Sequence, residues 1–150
     1  MKHKVFIHVD PAQQSKVQEL EKVAYTTLNY LDAPPGDLTL AFTDDKTIQD
    51  LNKRFAAVDK PTDILSFPGE GSDMETGRTY YGDVVISLPY AERQAQDAGH
   101  SLKDELTLLA IHGILHLSGF DHSNPDEQDS MWSLQDEILL HLGCQIASPR

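Results

Sequence analysis

The chain is poor in cysteine, in basic side chains and in long apolar runs, and each shortage closes off a class of protein. One cysteine, Cys144, in 150 residues permits no internal disulfide. No charged-then-apolar leader opens the sequence, so a reducing, cytoplasmic setting is expected. No apolar run approaches the roughly 20 residues of a membrane-spanning helix, so the protein should be soluble, with no membrane partner. Twelve Lys and Arg stand against 24 Asp and Glu, a formal net charge of -12. That balance disfavours indiscriminate binding to nucleic acid, and no DNA partner is expected. The deficit is uneven: residues 1–70 hold 8 basic and 11 acidic groups, and 71–150 hold 4 and 13. The basic groups gather at Lys46, Lys53, Arg54 and Lys60, which is either a docking segment for a polyanion or a solvated helix face.

At 16.7 kDa the chain fits one domain, 1–150, with a core that needs no staple. Lys4–Val9 has the β-branched look of a strand. Pro11 then opens a helical stretch in which Val17, Leu20, Val23, Thr27 and Leu31 recur at helical spacing, until Pro34-Pro35-Gly36 ends it. Alternating Leu38, Leu40 and Phe42 mark a second strand over Asp37–Thr43, and Asp44 or Thr43 can cap a helix through about Phe55. Ile64–Phe67 before Pro68 and the strand Asp83–Leu88 can pair antiparallel, with Gly69–Gly77 an exposed loop between them.

From Pro89 the pattern turns helical. One piece runs to Gly99. Ser101 with Asp104 nearly forms a capping box for a helix whose Leu106–Leu117 stretch is apolar or small except at two histidines, so most of its surface should be buried. Asn124-Pro125-Asp126-Glu127 supplies N-cap, first-turn proline and acidic third position for a last helix, which Gly143 stops.

The two histidines are His112 and His116. Residues four apart on a helix differ by about 40° in azimuth and about 6 Å in rise, so both imidazoles lean the same way. Gly119 can take the left-handed conformation that stops the helix and turns His122 toward the same point. Two imidazoles in an apolar helix cost on the order of 1–3 kcal/mol each if unsatisfied, so a partner is required. Three histidines without cysteine favour one catalytic zinc ion, leaving a position for water, over a closed structural site. Nickel, iron or copper could occupy the same ligands. Asp121 is either an acceptor that orients a ligand or a turn residue.

The spacing His-x3-His-x2-Gly-x2-His matches that of the metzincin proteases. Those carry glutamate directly after the first histidine as general base, and here that position is Gly113, which can move no proton. Peptide hydrolysis by that route is therefore not expected. A substrate with its own nucleophile, as RNA has in its 2′-hydroxyl, remains open to metal-assisted attack.

His112-Gly113-Ile114-Leu115-His116-Leu117-Ser118-Gly119-Phe120-Asp121-His122 resembles the signature of the YbeY family of bacterial endoribonucleases. The likeness extends to Leu51–Phe55, to Asp59–Pro68, to Gly82–Ile86, and to Met131 and Glu137 in the last helix. It implies an α+β, zincin-like single domain with a mixed four-stranded sheet, about five helices and the ligand helix in the core. It further implies zinc on His112, His116 and His122 and an arginine, Arg54, needed for RNA cleavage. It also implies single-strand-specific action on ribosomal RNA at the small subunit, in 16S 3′-end maturation and ribosome quality control. Ser123, Phe120 and Gln135 depart from residues common in the family, Gln135 at a position often acidic.

A guanidinium at Arg54 can hold a phosphate bidentately; the plainer role is a helix-surface pair with Asp50, four residues back. Lys60 could add a phosphate contact, and Asp63 or Ser66 could shape a groove. His3, His8, His100 and His141 lack ligand spacing, and Cys144 reads as a small apolar filler. Two alternatives stand beside the nuclease: a non-catalytic ribosome assembly factor with a structural metal, and a metal hydrolase of another substrate class.

Overall fold

The computed structural model describes residues 2–121 and 123–148. In chain order the elements are β1 (His3–His8), a 3-10 helix (Pro11–Val17), α1 (Leu20–Tyr30), β2 (Gly36–Thr43), α2 (Asp45–Ala56), β3 (Ile64–Ser72), β4 (Thr79–Ser87), α3 (Leu88–Ala98), α4 (Leu102–Leu117) and α5 (Pro125–His141). The strands form one mixed sheet in the order β1-β2-β4-β3. β1 and β2 are parallel, as are β2 and β4, while β3 runs antiparallel to β4. The result is an α+β domain with five α-helices and one 3-10 helix among the described residues.

Leu38, Leu40 and Phe42 are buried on β2, as their alternation requires, and they join Val5, Val84 and Ile86 in the main core. α4 closes that core: every residue from Glu105 to Ile111 and from Gly113 to Leu115 is buried. It packs against β3 and β4 on the sheet and against α1, α3 and α5. No helix of the described residues is long and apolar enough to cross a membrane.

Two expectations are corrected. The stretch opened by Pro11 is not one helix, because Gln18 is extended (ψ 141°) and Glu19 is left-handed (φ 71°), splitting it into the 3-10 helix and α1. Val17 and Leu20 are nevertheless both buried, so the break redirects the chain without wasting the apolar stripe. The segment after Phe67 is not simply a loop: β3 runs through Pro68 to Ser72, and β4 begins at Thr79. Proline is tolerated there because β3 is the edge strand, where a missing N–H costs no ladder bond on the open side.

Gly113 sets how closely α4 approaches the sheet. A Cβ at that position would lie 2.7 Å from Val84 Cγ1 and 3.0 Å from Ile64 Cδ1. The absent side chain is thus a packing requirement as well as the absence of a base. Gly113→Ala is expected to lower stability by about 1–3 kcal/mol through overpacking, although alanine is the better helix former. Urea unfolding of the two proteins checks it, and equal midpoints would show that the interface yields freely.

Candidate active site

Local chemistry fixes the two helices that carry the site. Ser101 Oγ accepts from Asp104 N (3.1 Å) to start α4, and Asn124 Oδ1 accepts from Glu127 N (2.9 Å) to start α5. On α4, His112 and His116 are half-buried within an otherwise covered stretch, one turn apart. Their Nε2 atoms face each other at 3.1 Å, with ring centroids 4.6 Å apart and planes crossing at 76°. Gly119, at φ 101°, ends the helix: its N–H reaches His116 O at 3.1 Å and Phe120 N reaches Leu115 O at 3.0 Å. The chain turns back at the glycine as its spacing predicts. His122 lies outside the described residues, and among those residues no three His, Cys, Asp or Glu side chains gather as a metal-binding group.

One partner of the half-buried His112 imidazole is Gln135, which sequence reasoning noted only as a departure. His112 Nδ1 lies 2.6 Å from Gln135 Oε1. Gln135 Nε2 donates to Ser148 Oγ at 2.7 Å, and Ser148 Oγ donates to the carbonyl of Trp132 at 3.4 Å. The amide orientation follows, because its NH2 is engaged by a hydroxyl that is itself donating. The amide oxygen therefore accepts from His112 Nδ1–H, and the ring's lone pair falls on Nε2, the atom that faces His116. Gln135 is 1% exposed and Ser148 7%. The available sequence signal was a glutamine at helical spacing from apolar Met131 and Ile138 on α5. The orienting acceptor of His112 is thus Gln135 on α5; Asp121 is exposed beyond the turn.

Three of the remaining histidines have structural partners, and His8 is exposed. His3 Nε2 bonds Ala33 O at 3.0 Å, His141 packs on Tyr30, and His100 Nε2 pairs with buried Glu105 Oε1 at 2.6 Å. Burial pushes the Cys144 thiol up, and its Sγ lies 3.3 Å from Asp104 Oδ1, so it is no ready nucleophile.

Arg54 is exposed near the end of α2, its guanidinium 5.5 Å from the centroid of the Phe55 ring. It does not line the cleft that contains His112. Nor does it pair with Asp50, whose carboxylate is taken by Lys46 at 2.9 Å. Lys53 reaches Asp59 at 3.8 Å. Among the described residues Arg54 and Lys60 have no carboxylate within salt-bridge distance. The acidic chain thus keeps two uncompensated cations on one short segment. Lys60 is exposed, while Asp63 lines the cleft of His112 and accepts from Thr62 Oγ1 at 3.3 Å. Ser66, half-buried on β3, is opposite Val84 of β4.

A mixed sheet closed by one buried helix, on which two imidazole nitrogens meet, defines an α+β domain with a histidine-centred site. The family to which the chain belongs is the endoribonuclease YbeY family, whose model matches residues 4–143. The endoribonuclease YbeY of Persephonella marina is 39% identical over 139 residues, covering 91% of each chain. That of a Sulfurihydrogenibium species is 40% identical over 130 residues, covering 85% of this chain and 84% of the relative. The solution structure of TM1509 from Thermotoga maritima matches with a TM-score of 0.54 at 21% identity, over 94% of this chain and 91% of that one, and shares the fold.

Proposed function

We propose that the chain is a zinc-dependent endoribonuclease specific for single strands, with one ion held by His112, His116 and His122 and the scissile phosphate steadied by Arg54. Membership of a family of endoribonucleases supports a hydrolytic enzyme acting on phosphodiester bonds. The observation that carries the metal is the facing pair of Nε2 atoms. Two nitrogens on adjacent vertices of a tetrahedral zinc site, each about 2.0–2.1 Å from the ion, stand about 3.3–3.4 Å apart. The pair at 3.1 Å is already close to that spacing, and Gln135 leaves the required lone pair on His112 Nε2.

When bound, the ion supplies Lewis-acid polarisation of a phosphoryl oxygen. The chain's own groups do the rest. His112 and His116 hold the ion in place, and Gln135 fixes the ring that presents one of those nitrogens. Arg54, without a competing carboxylate among the described residues, binds phosphate by its two-pronged guanidinium and offsets the charge that develops there. Gly113 supplies no base, which suits a substrate whose 2′-hydroxyl is its own nucleophile. The cellular role that fits is 16S 3′-end maturation and ribosome quality control at the small subunit, in the cytoplasm.

Metal removal tests this. Protein stripped by a chelator is expected to lose cleavage of single-stranded ribosomal RNA and to regain it with one equivalent of zinc, measured by gel assay and elemental analysis. The net charge of -12 favours one competing role, an assembly factor that grips a basic ribosomal protein. Stripped protein that still supports normal RNA ends and still binds the ribosome would establish that role instead.

A further inference from the structure

His112 sits at one side of a cleft of about 740 Å³ formed by α3, α4, α5 and the start of β3, within the size range of small-molecule sites. The stripe that α4 presents to it, with Leu108 and Leu109 one turn before His112, meets Ile64 and Ile146 to make an apolar floor. Trp132 of α5 lies half-buried along the same cleft. Its polar groups are neutral or acidic: the amides of Gln94 and Gln128, and the carboxylate of Asp63. Among the described residues no lysine or arginine lines it, and the histidine there besides His112 is His100, engaged by Glu105.

Those properties suit a flat, uncharged heterocycle beside the His112 end of the cleft. Away from the His112 end, where the proposed ion would meet a phosphate, phosphodiester oxygens would meet the Asp63 carboxylate and no lysine or arginine among the described residues, and Arg54 and Lys60 lie outside the cleft. A base has a π-face for an indole and an edge for amides and a carboxylate. We propose that this cleft is a base subsite, holding one unstacked nucleobase of single-stranded RNA against Trp132, with its edge toward Asp63, Gln94 and Gln128. The Asp63 carboxylate accepts hydrogen bonds, and uracil's one edge donor, N3–H, is flanked by two carbonyl oxygens, so the subsite favours bases bearing an exocyclic amino group over uracil. The assignment rests on the endoribonuclease reading and adds which part of the RNA enters beside His112.

Trp132 is the only tryptophan in the chain, so its fluorescence reports the cleft without a label. Metal-free full-length protein is titrated with adenosine and with uridine. A saturable change with adenosine, several-fold weaker with uridine, is the expected result. Asp63→Asn should shrink the difference between the two nucleosides. Trp132→Ala should weaken binding of a short oligoadenylate by about tenfold while zinc content stays at the parental level, and Trp132→Phe, which keeps a ring face, should lose less. An unchanged signal with adenosine overturns the proposal, as does equal response to the two nucleosides or parental oligoadenylate binding by Trp132→Ala. The two readings fail separately. A protein that responds to adenosine but never cleaves RNA keeps the subsite and loses the nuclease. One that cleaves RNA but ignores adenosine keeps the nuclease and loses the subsite.

Discussion

His116→Ala is expected to leave a folded protein that no longer retains its metal and no longer cleaves RNA. The fold should survive because His116 is only half-buried, whereas the packing of that helix rests on its buried residues from Glu105 to Ile111 and from Gly113 to Leu115. The metal should not survive. Four-ligand zinc sites are worth about 10–16 kcal/mol, roughly 2.5–4 kcal/mol per ligand, so losing one of the three proposed protein ligands weakens binding by about two to three orders of magnitude. Gln135→Leu should fall in between, about 10- to 100-fold weaker, since it removes only the group that fixes the His112 ring. Competition with a chromogenic chelator measures both, with circular dichroism as the fold control. Stoichiometric zinc in purified His116→Ala would sink the proposed ligand set.

What could be anticipated from the residues follows the range of the interactions. Helix caps are local, so Asp44, Ser101 and Asn124 stand where a one-dimensional reading puts them. The convergence of His112 with His116 follows from helix pitch alone, and the halt at Gly119 from its left-handed freedom. Interactions that depend on docking were not legible. Gln135 meets His112 from 23 residues away, which requires the pose of α5 on α4. Pro68 reads as a strand terminator until the sheet order puts β3 at an edge. Gly113 reads as a missing base until Val84 and Ile64 are found where its side chain would go. Asp50 is the narrowest case. Lys46 and Arg54 are each four residues from it, and helix-dipole preference for an acid preceding a base would choose Arg54. The structure pairs it with Lys46 instead, and that choice leaves Arg54 available.

That availability gives the second large effect. Arg54→Glu is expected to lower the rate of RNA cleavage by at least about 100- to 1000-fold, the usual cost of removing a group that meets charge developing in the transition state, with added repulsion from the new carboxylate. Zinc content should be unchanged, because Arg54 lies on α2 outside the cleft of His112. Stability should also change little, since the side chain is exposed and gives up no ion pair among the described residues. Arg54→Lys separates charge from shape: it keeps one positive charge without the planar fork, and should recover part of the rate. Binding of uncleavable single-stranded RNA should weaken far less than turnover in Arg54→Lys if the guanidinium acts on the reacting phosphate. If binding and turnover fall together in that variant, Arg54 is a docking cation like Lys60, and the group that offsets the developing charge lies elsewhere. Undiminished cleavage by Arg54→Glu would remove Arg54 from the site altogether, and with it the reason for an acidic protein to keep two uncompensated cations on so short a segment.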